Sequence, residues 1–166
     1  MIYGFDTENS QDGRLLVACA CSRKHRYVLD AGPGPRLEMH RVWMLEAQIS
    51  TVHVWSVNLE YDLINFYGAT LPDFLVPQFG RSRIVGAKMR GVKVNFYEVG
   101  RFIPRKSVEE IGDLLRYLKL NVDLETVKDG SVDRKVLARY CMRDAQIARK
   151  AGESVESELI AVGVTL

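Results

Sequence analysis

A chain of 166 residues, 47% of them hydrophobic, is long enough for one globular domain with its own core and too short for an array of several such domains. A net charge of +2 excludes a strongly polybasic or polyacidic protein and by itself names no partner. No apolar run approaches the length of a membrane span and no signal-peptide pattern is visible, so no membrane role is expected.

The first elements expected are three short strands, Ile2–Asp6, Leu15–Cys21 and Arg26–Leu29, with Asp12-Gly13 marking the first turn. Cys19 and Cys21 share one face of the second strand, where buried thiols are common. With Cys141 they are three in number and not paired by spacing, and His25, His40 and His53 are scattered, so neither a disulfide framework nor a zinc site is indicated. Free thiols suit a reducing, intracellular setting, the cytoplasm. The Gly32-Pro-Gly-Pro35 cluster reads as a loop. A helix is expected over Leu37–Gln48, with Met39, Val42, Trp43 and Ala47 on its apolar face, then a buried strand over Thr51–Val57 and a helix over Asn58–Tyr67.

Arg83–Met89 and Val92–Val99 have the pattern of a hairpin turning at Arg90-Gly91. Residues 81–106 hold eight Lys or Arg against the single acid Glu98, together with Phe96, Tyr97 and Phe102. Two readings are open: cations for phosphates with rings for base stacking, or a solvated basic hairpin whose aromatics enter the core. Ser107-Val-Glu-Glu110 is a capping box, and Val108, Ile111, Leu114, Leu115 and Leu118 are the apolar face expected of the next helix. The last helix is expected from about Val132 to at least Ala151. No repeat, low-complexity tract or linker interrupts the chain, so residues 1–166 are read as one domain. The element order gives an α/β fold with a mixed central sheet flanked by helices.

Four acids stand out against this apolar background. Asp6 and Glu8 are two apart on the first strand, which points both carboxylates to one face. Like charges side by side on a buried strand are costly unless a cation neutralises them, and hard divalent ions prefer such oxygen ligands. Asn58 and Asp62 lie one helical turn apart after the fourth strand. Asp144 sits in the stripe Val136, Tyr140, Asp144, Ile147, Ala151, an acid in the middle of an inward-looking face with no basic residue on the same stripe. Each acid alone has an ordinary surface or ion-pair explanation; together they suggest one convergent two-metal site.

Asp6-x-Glu8, Asn58-x-x-x-Asp62 and Tyr140-x-x-x-Asp144 resemble the three motifs of the DEDD 3′–5′ exonucleases. The tyrosine four residues before the last acid resembles the tyrosine branch, whereas the histidine branch has a His where this chain has Arg139. The second motif, Asn-Leu-Glu-Tyr-Asp-Leu, and the later Phe-Tyr-Glu-Val…Ile-Pro…Lys-Ser-Val…Leu-Lys-Leu are similar to the proofreading domains of protein-primed family B DNA polymerases of phages and linear plasmids. The resemblance implies a ribonuclease H-like fold, two divalent ions, Mg²⁺ or Mn²⁺, and hydrolysis of single-stranded DNA from its 3′ end. It implies that Asp6, Glu8, Asp62 and Asp144 hold the ions, that Tyr140 orients the attacking water, and that Asn58, Tyr61, Thr7 and Asn9 touch the substrate strand. Tyr61 has a second reading as a core aromatic.

Those polymerases also carry a catalytic-site lysine between the second and third motifs. Lys119 and Lys128 lie in that region, neither in a clearly matching context. The chain reads either as an excised exonuclease domain or as a free-standing protein, the position of Met1 favouring the latter, with a replication protein as a partner in prospect. Two other function classes are weighed. One is an exoribonuclease, since the 2′-hydroxyl is read by local contacts. The other is a non-catalytic ribonuclease H-like binding module, against which the full set of acids argues.

Overall fold

The computed structural model describes residues 1–30, 33–103 and 107–166, with only the backbone described at residues 30 and 33–37. In chain order the elements are β1 (Ile2–Asn9), β2 (Leu15–Cys21), β3 (Arg26–Asp30), α1 (Pro33–Ala47), β4 (Val52–Ser56), α2 (Leu59–Tyr67), β5 (Leu75–Gly80), β6 (Arg83–Met89) and β7 (Val94–Glu98). A 3-10 turn at Val99–Arg101, α3 (Val108–Leu114), α4 (Leu124–Asp129) and α5 (Arg134–Ala161) complete them. The seven strands form one mixed sheet in the order β3-β2-β1-β4-β7-β6-β5. β4 lies parallel to β1 and to β7, and the remaining pairs are antiparallel.

Both faces of the sheet are covered. Tyr3 and Phe5 of β1 join Met39 and Trp43 of α1 and Leu59, Leu63 and Phe66 of α2 in one core, as the helical spacing of those residues requires. The alternate residues of β1 and β2 face α5, where Val17, Cys19 and Cys21 pack on Leu137, Cys141 and Ala145. Trp55 and Tyr97 meet Ile111, Ile147 and Ala151 in a third cluster on that side.

Two glycines set how close α5 comes. A Cβ on Gly4 of β1 would lie 1.8 Å from the Ala145 carbonyl oxygen, and one on Gly152 of α5 would lie 2.4 Å from the Trp55 indole. Only hydrogen fits at either place, so α5 crosses β1 and β4 at backbone distance.

The sheet opens at one end. β1 pairs with β4 only over Ile2–Gly4, so beyond Gly4 the strands part, with Asp6 and Glu8 on one lip and Ser56 on the other. Crevices outside the carboxyl ends of parallel strands are the usual ligand sites of open α/β sheets.

Several expectations need correction. Pro33–Pro35 belong to α1, not to a loop; proline tolerates the first helical turn because its missing N–H is one that has no intrahelical partner there. Gly32 lies outside the described residues. β5 has no expected counterpart: Pro77 weakens its strand signal, and proline is tolerated because β5 is a sheet edge. α4 likewise has none, its six residues being too few to show a period. α3 has the expected capping box but ends at Leu114, where Arg116 takes a left-handed φ of 53°; Leu114 and Leu118 are exposed rather than on a buried face.

The stacking reading of the 81–106 segment fails, because Phe96 is buried in the core with α1 and α2, while Tyr97 is buried on the α5 side and Phe102 packs there with it. Its cations are dispersed. The Arg90–Lys93 turn adjoins the starting ends of β4 and β7, opposite the end that carries the acids. Arg105 and Lys106 lie outside the described residues. No described helix is long and apolar enough to cross a membrane.

The close crossing yields a prediction. Gly4→Ala should lose about 3 kcal/mol or more in urea unfolding, since the methyl meets backbone that cannot step aside. Gly13→Ala, at a turn with open space around it, is the strained but uncrowded control and should lose about 1 kcal/mol.

Candidate metal centre

Asp6 and Glu8 project from the α5-facing side of β1, and Asp144 faces them from the middle of α5. One carboxylate oxygen from each lies within 4.8 Å of the other two, a spacing that fits shared divalent ions. Asp6 Oδ2 and Asp144 Oδ1 are buried and have no hydrogen-bond partner among the described residues. A buried anionic oxygen without a donor costs free energy that a bound cation would recover. The donor set is all oxygen, which suits Mg²⁺ or Mn²⁺ over softer ions.

Asp62 is placed differently. Alternation along β1 turns Thr7 to the opposite face from Asp6 and Glu8, toward α2. There Asp62 Oδ1 accepts from the Thr7 backbone N–H at 2.9 Å and from its hydroxyl at 2.6 Å, while Oδ2 accepts from the Ser56 hydroxyl. Both oxygens are thereby engaged, and the residue is 1% exposed. Among the described residues the close carboxylate set is therefore Asp6, Glu8 and Asp144, with Asp62 buried behind them as a hydrogen-bonded anchor that ties β1, β4 and α2 together.

The predicted strand contacts divide in two. Thr7 is buried and its hydroxyl is spent on Asp62. Asn9 donates to Asn65 Oδ1 at 2.6 Å and to the Gly13 carbonyl, and Asn65 in turn donates to the Thr7 hydroxyl oxygen, so Thr7, Asn9 and Asn65 form one chain of hydrogen bonds ending at Asp62. By contrast Tyr61 is 44% exposed, which excludes the core reading, and Asn58 is exposed at the start of α2 and makes no capping bond with its side chain.

Tyr140, one turn before Asp144, is nearly buried and borders a cavity of about 550 Å³ with Lys119, Leu118 and Leu120. Lys119 is the partner that Asp144 lacks on its own helix. Its Nζ lies 2.7 Å from Asp144 Oδ2 and 4.6 Å from the centre of the Tyr140 ring. Lys128, the other lysine in that region, pairs with Glu125 on the surface of α4.

Lys119 sits on the irregular segment after α3, which α5 pins in place. The Tyr117 hydroxyl donates to Gln146 Oε1 at 2.6 Å, Arg143 donates to the Leu118 carbonyl at 3.1 Å, and the Arg143 guanidinium lies over the Tyr117 ring at 4.4 Å. No sequence motif marks these contacts. The one available signal was that an acid on a buried stripe must find a cation elsewhere.

The electrostatics follow from crowding. Burial, then the charges of Asp62, Glu8 and Asp144, raise Asp6 well above the ordinary carboxylate range. Burial and the nearby Asp144 charge push Glu8 up to about 7, against the pull of Lys119. Burial carries Asp62 to about 7 despite the hydrogen bonds from Ser56 and Thr7. Asp144 is raised by burial although Lys119 and Arg143 act the other way. On Lys119, burial lowers the pKa but the bonds to Asp144 and Tyr140 outweigh it, so the ammonium is held charged. The Tyr140 phenol is raised by burial, so it stays protonated at neutral pH.

No protein-family model matches the chain, and no curated protein matches it at a significant level.

A carboxyl whose folded pKa exceeds its unfolded value stabilises the fold while protonated and loses that contribution as pH rises through the folded value. With chelator present, the stability carried by Glu8 and Asp62 should therefore be complete near pH 4 and decline toward pH 7.5. Glu8→Gln should remove about 2 kcal/mol of that decline, measured as the difference in urea midpoints between pH 5 and pH 7.5. Mn²⁺ should raise the melting temperature at pH 7.5, by competing with those protons and shielding the repulsion, and Asp6→Ala should abolish the increase.

Proposed function

We propose that the chain is a metal-dependent 3′–5′ exonuclease of the DEDD tyrosine branch, acting on single-stranded DNA and built on a ribonuclease H-like fold. The observation that carries this reading is the meeting of Asp6, Glu8 and Asp144 with unpaired buried oxygens, beside Tyr140 and Lys119. The sheet supports it: three antiparallel strands followed by a fourth lying parallel to the first, in the order β3-β2-β1-β4, is the arrangement the proposed fold requires.

The reaction is hydrolysis of the terminal phosphodiester. Water adds to phosphorus, the bond to the preceding 3′ oxygen breaks, and a 5′-mononucleotide leaves. Two divalent ions held by Asp6, Glu8 and Asp144 would supply activation of that water and neutralisation of the charge gathering on the phosphoryl oxygens. The protein's own contributions are positional. Asp62 fixes the end of β1 through Thr7, so that Asp6 and Glu8 are presented together. Tyr140, protonated, offers a hydroxyl that orients water rather than a base that deprotonates it. Lys119 holds one oxygen of Asp144 and leaves the other free, which makes it the counterpart of the lysine found in protein-primed polymerases. Asn58 and Tyr61, exposed at the lip of the crevice, are placed to touch unpaired nucleotides.

A 5′-labelled oligonucleotide with Mn²⁺ should give a ladder shortening from its 3′ end, faster for single strands and mismatched ends than for matched duplex, because a paired end must first fray. Release of the labelled 5′ nucleotide first, nicking of circular single strands, or exclusive action on RNA would reject the assignment. Separately, Tyr140→Phe should lower kcat roughly 5- to 100-fold with KM little changed, the worth of one hydrogen bond made chiefly in the transition state. Lys119→Ala should lower kcat at least as much and weaken the Mn²⁺-dependent rise in melting temperature, whereas Lys128→Ala should do neither.

A further inference from the structure

Glu98 ends β7 directly opposite Ser56 in the strand register, one strand away from the Asp62 anchor. Its side chain is 2% exposed, and Arg83 Nη2 holds Oε1 at 2.7 Å. Oε2 is buried with no hydrogen-bond partner among the described residues. Beside it is a cavity of about 390 Å³ lined by Asn58, Arg83, Glu98, Gly100 and the apolar Val57 and Val108. The Asn58 side chain makes no capping bond, so its amide is free to serve the cavity. Gly100 lies against the carboxylate: a Cβ there would stand 3.0 Å from Glu98 Oε1, the oxygen that Arg83 holds. Glu98 takes no part in the chemistry proposed above, and its cavity adjoins the crevice through Asn58.

A carboxylate tethered by one oxygen and unsatisfied at the other is an acceptor waiting for a donor. The cavity's lining combines the apolar surface of two valines, which suits a ring, with an amide and a carboxylate that suit the ring's polar edge. We propose that this cavity is a subsite for a nucleobase of the substrate strand, in which Glu98 Oε2 accepts a hydrogen bond from an exocyclic amino group and Asn58 pairs with the adjacent ring nitrogen. The proposal rests on the exonuclease reading for the identity of the strand. Cytosine and adenine present an amino group next to an acceptor nitrogen. Thymine presents carbonyl oxygens on both sides of its one N–H, and these face the carboxylate unfavourably. The subsite therefore discriminates amino-bearing bases from thymine and gives the enzyme a local base preference. Such discrimination is strong where a buried polar group is left unpaired by the wrong ligand.

The test uses two readouts at pH 8. In the first, with chelator and no turnover, dCMP and dTMP are titrated into the isotopically labelled protein, and the Asn58 side-chain amide and Gly100 backbone amide signals are followed. dCMP should shift both and bind about tenfold tighter than dTMP, the worth of one hydrogen bond to a charged acceptor. Glu98→Gln should reduce the difference to within about twofold, because a primary amide can present either a donor or an acceptor. Gly100→Ala, whose methyl presses on Glu98 Oε1 and so on its pair with Arg83, should weaken dCMP binding. In the second, thymidine oligonucleotides carrying one cytosine at successive distances from the 3′ end are digested with Mn²⁺. One position should be favoured by the wild type and not by Glu98→Gln.

Equal binding of dCMP and dTMP, shifts confined to other residues, or an unchanged preference in Glu98→Gln would overturn the subsite. Binding that discriminates as described while no oligonucleotide is cut would sustain the subsite and overturn the exonuclease reading instead. Cutting without any base preference would do the reverse.

Discussion

Three carboxylates held within 4.8 Å of one another beneath a close-packed helix are the constraint around which the rest of this structure is arranged. Left alone they repel, and burial adds to the cost, which is why Asp6, Glu8 and Asp144 are all shifted toward protonation. The fold tolerates this because other interactions hold the groups where they are. Gly4 and Gly152 let α5 approach to backbone distance, the Cys141 thiol donates to the Asp6 carbonyl at 3.4 Å, and aliphatic side chains seal the crossing on either side of Asp144. A buried cluster of like charge maintained against its own electrostatics is the pattern expected of a site shaped for a cation or for catalysis.

The fourth acid shows how similar residues acquire different work. Asp62 is as buried as Asp144, but it lies on the other side of β1 and accepts three hydrogen bonds from Thr7 and Ser56. Its charge is thereby given to structure: it joins the ends of β1 and β4, which have parted, to the first turn of α2. Asn9 and Asn65 extend the same chain of bonds. This network ties down the lip that bears Asp6 and Glu8, and a loosened Asp62 would let those two acids drift.

The cations are distributed with the same economy. Lys119 and Arg143 reach Asp144 from two different elements, one from an irregular segment and one from α5 itself, and Tyr117 binds the two elements to each other. Arg83 faces Glu98 at the neighbouring strand end. By contrast the turn at Arg90 and Lys93, within the most basic stretch of the sequence, lies at the far end of the sheet. Local charge density in sequence and charge near the site are thus different quantities, because a β-hairpin carries its turn and its strand ends to opposite edges of the molecule.

Much of the framework was legible in the sequence because it is written in local chemistry. Periodicity two along the first strand put Asp6 and Glu8 on one face, periodicity 3.6 put Tyr140 and Asp144 together, and Ser107 with Glu110 marked a helix start that the backbone realises with both reciprocal bonds. Where the local signal was weak or contrary, tertiary packing decided. β5 carries a proline and survives as an edge, Pro33–Pro35 enter a helix, and Phe96 and Tyr97 turn inward although cations surround them in sequence. Nothing local distinguishes Asp62 from Asp144, or Lys119 from Lys128. Which acid keeps an unpaired oxygen and which lysine stands beside it depend on contacts between residues far apart in the chain. Sequence alone determined which side chains share a face of their own element; only the packed sheet and its crossing helix determined which faces meet.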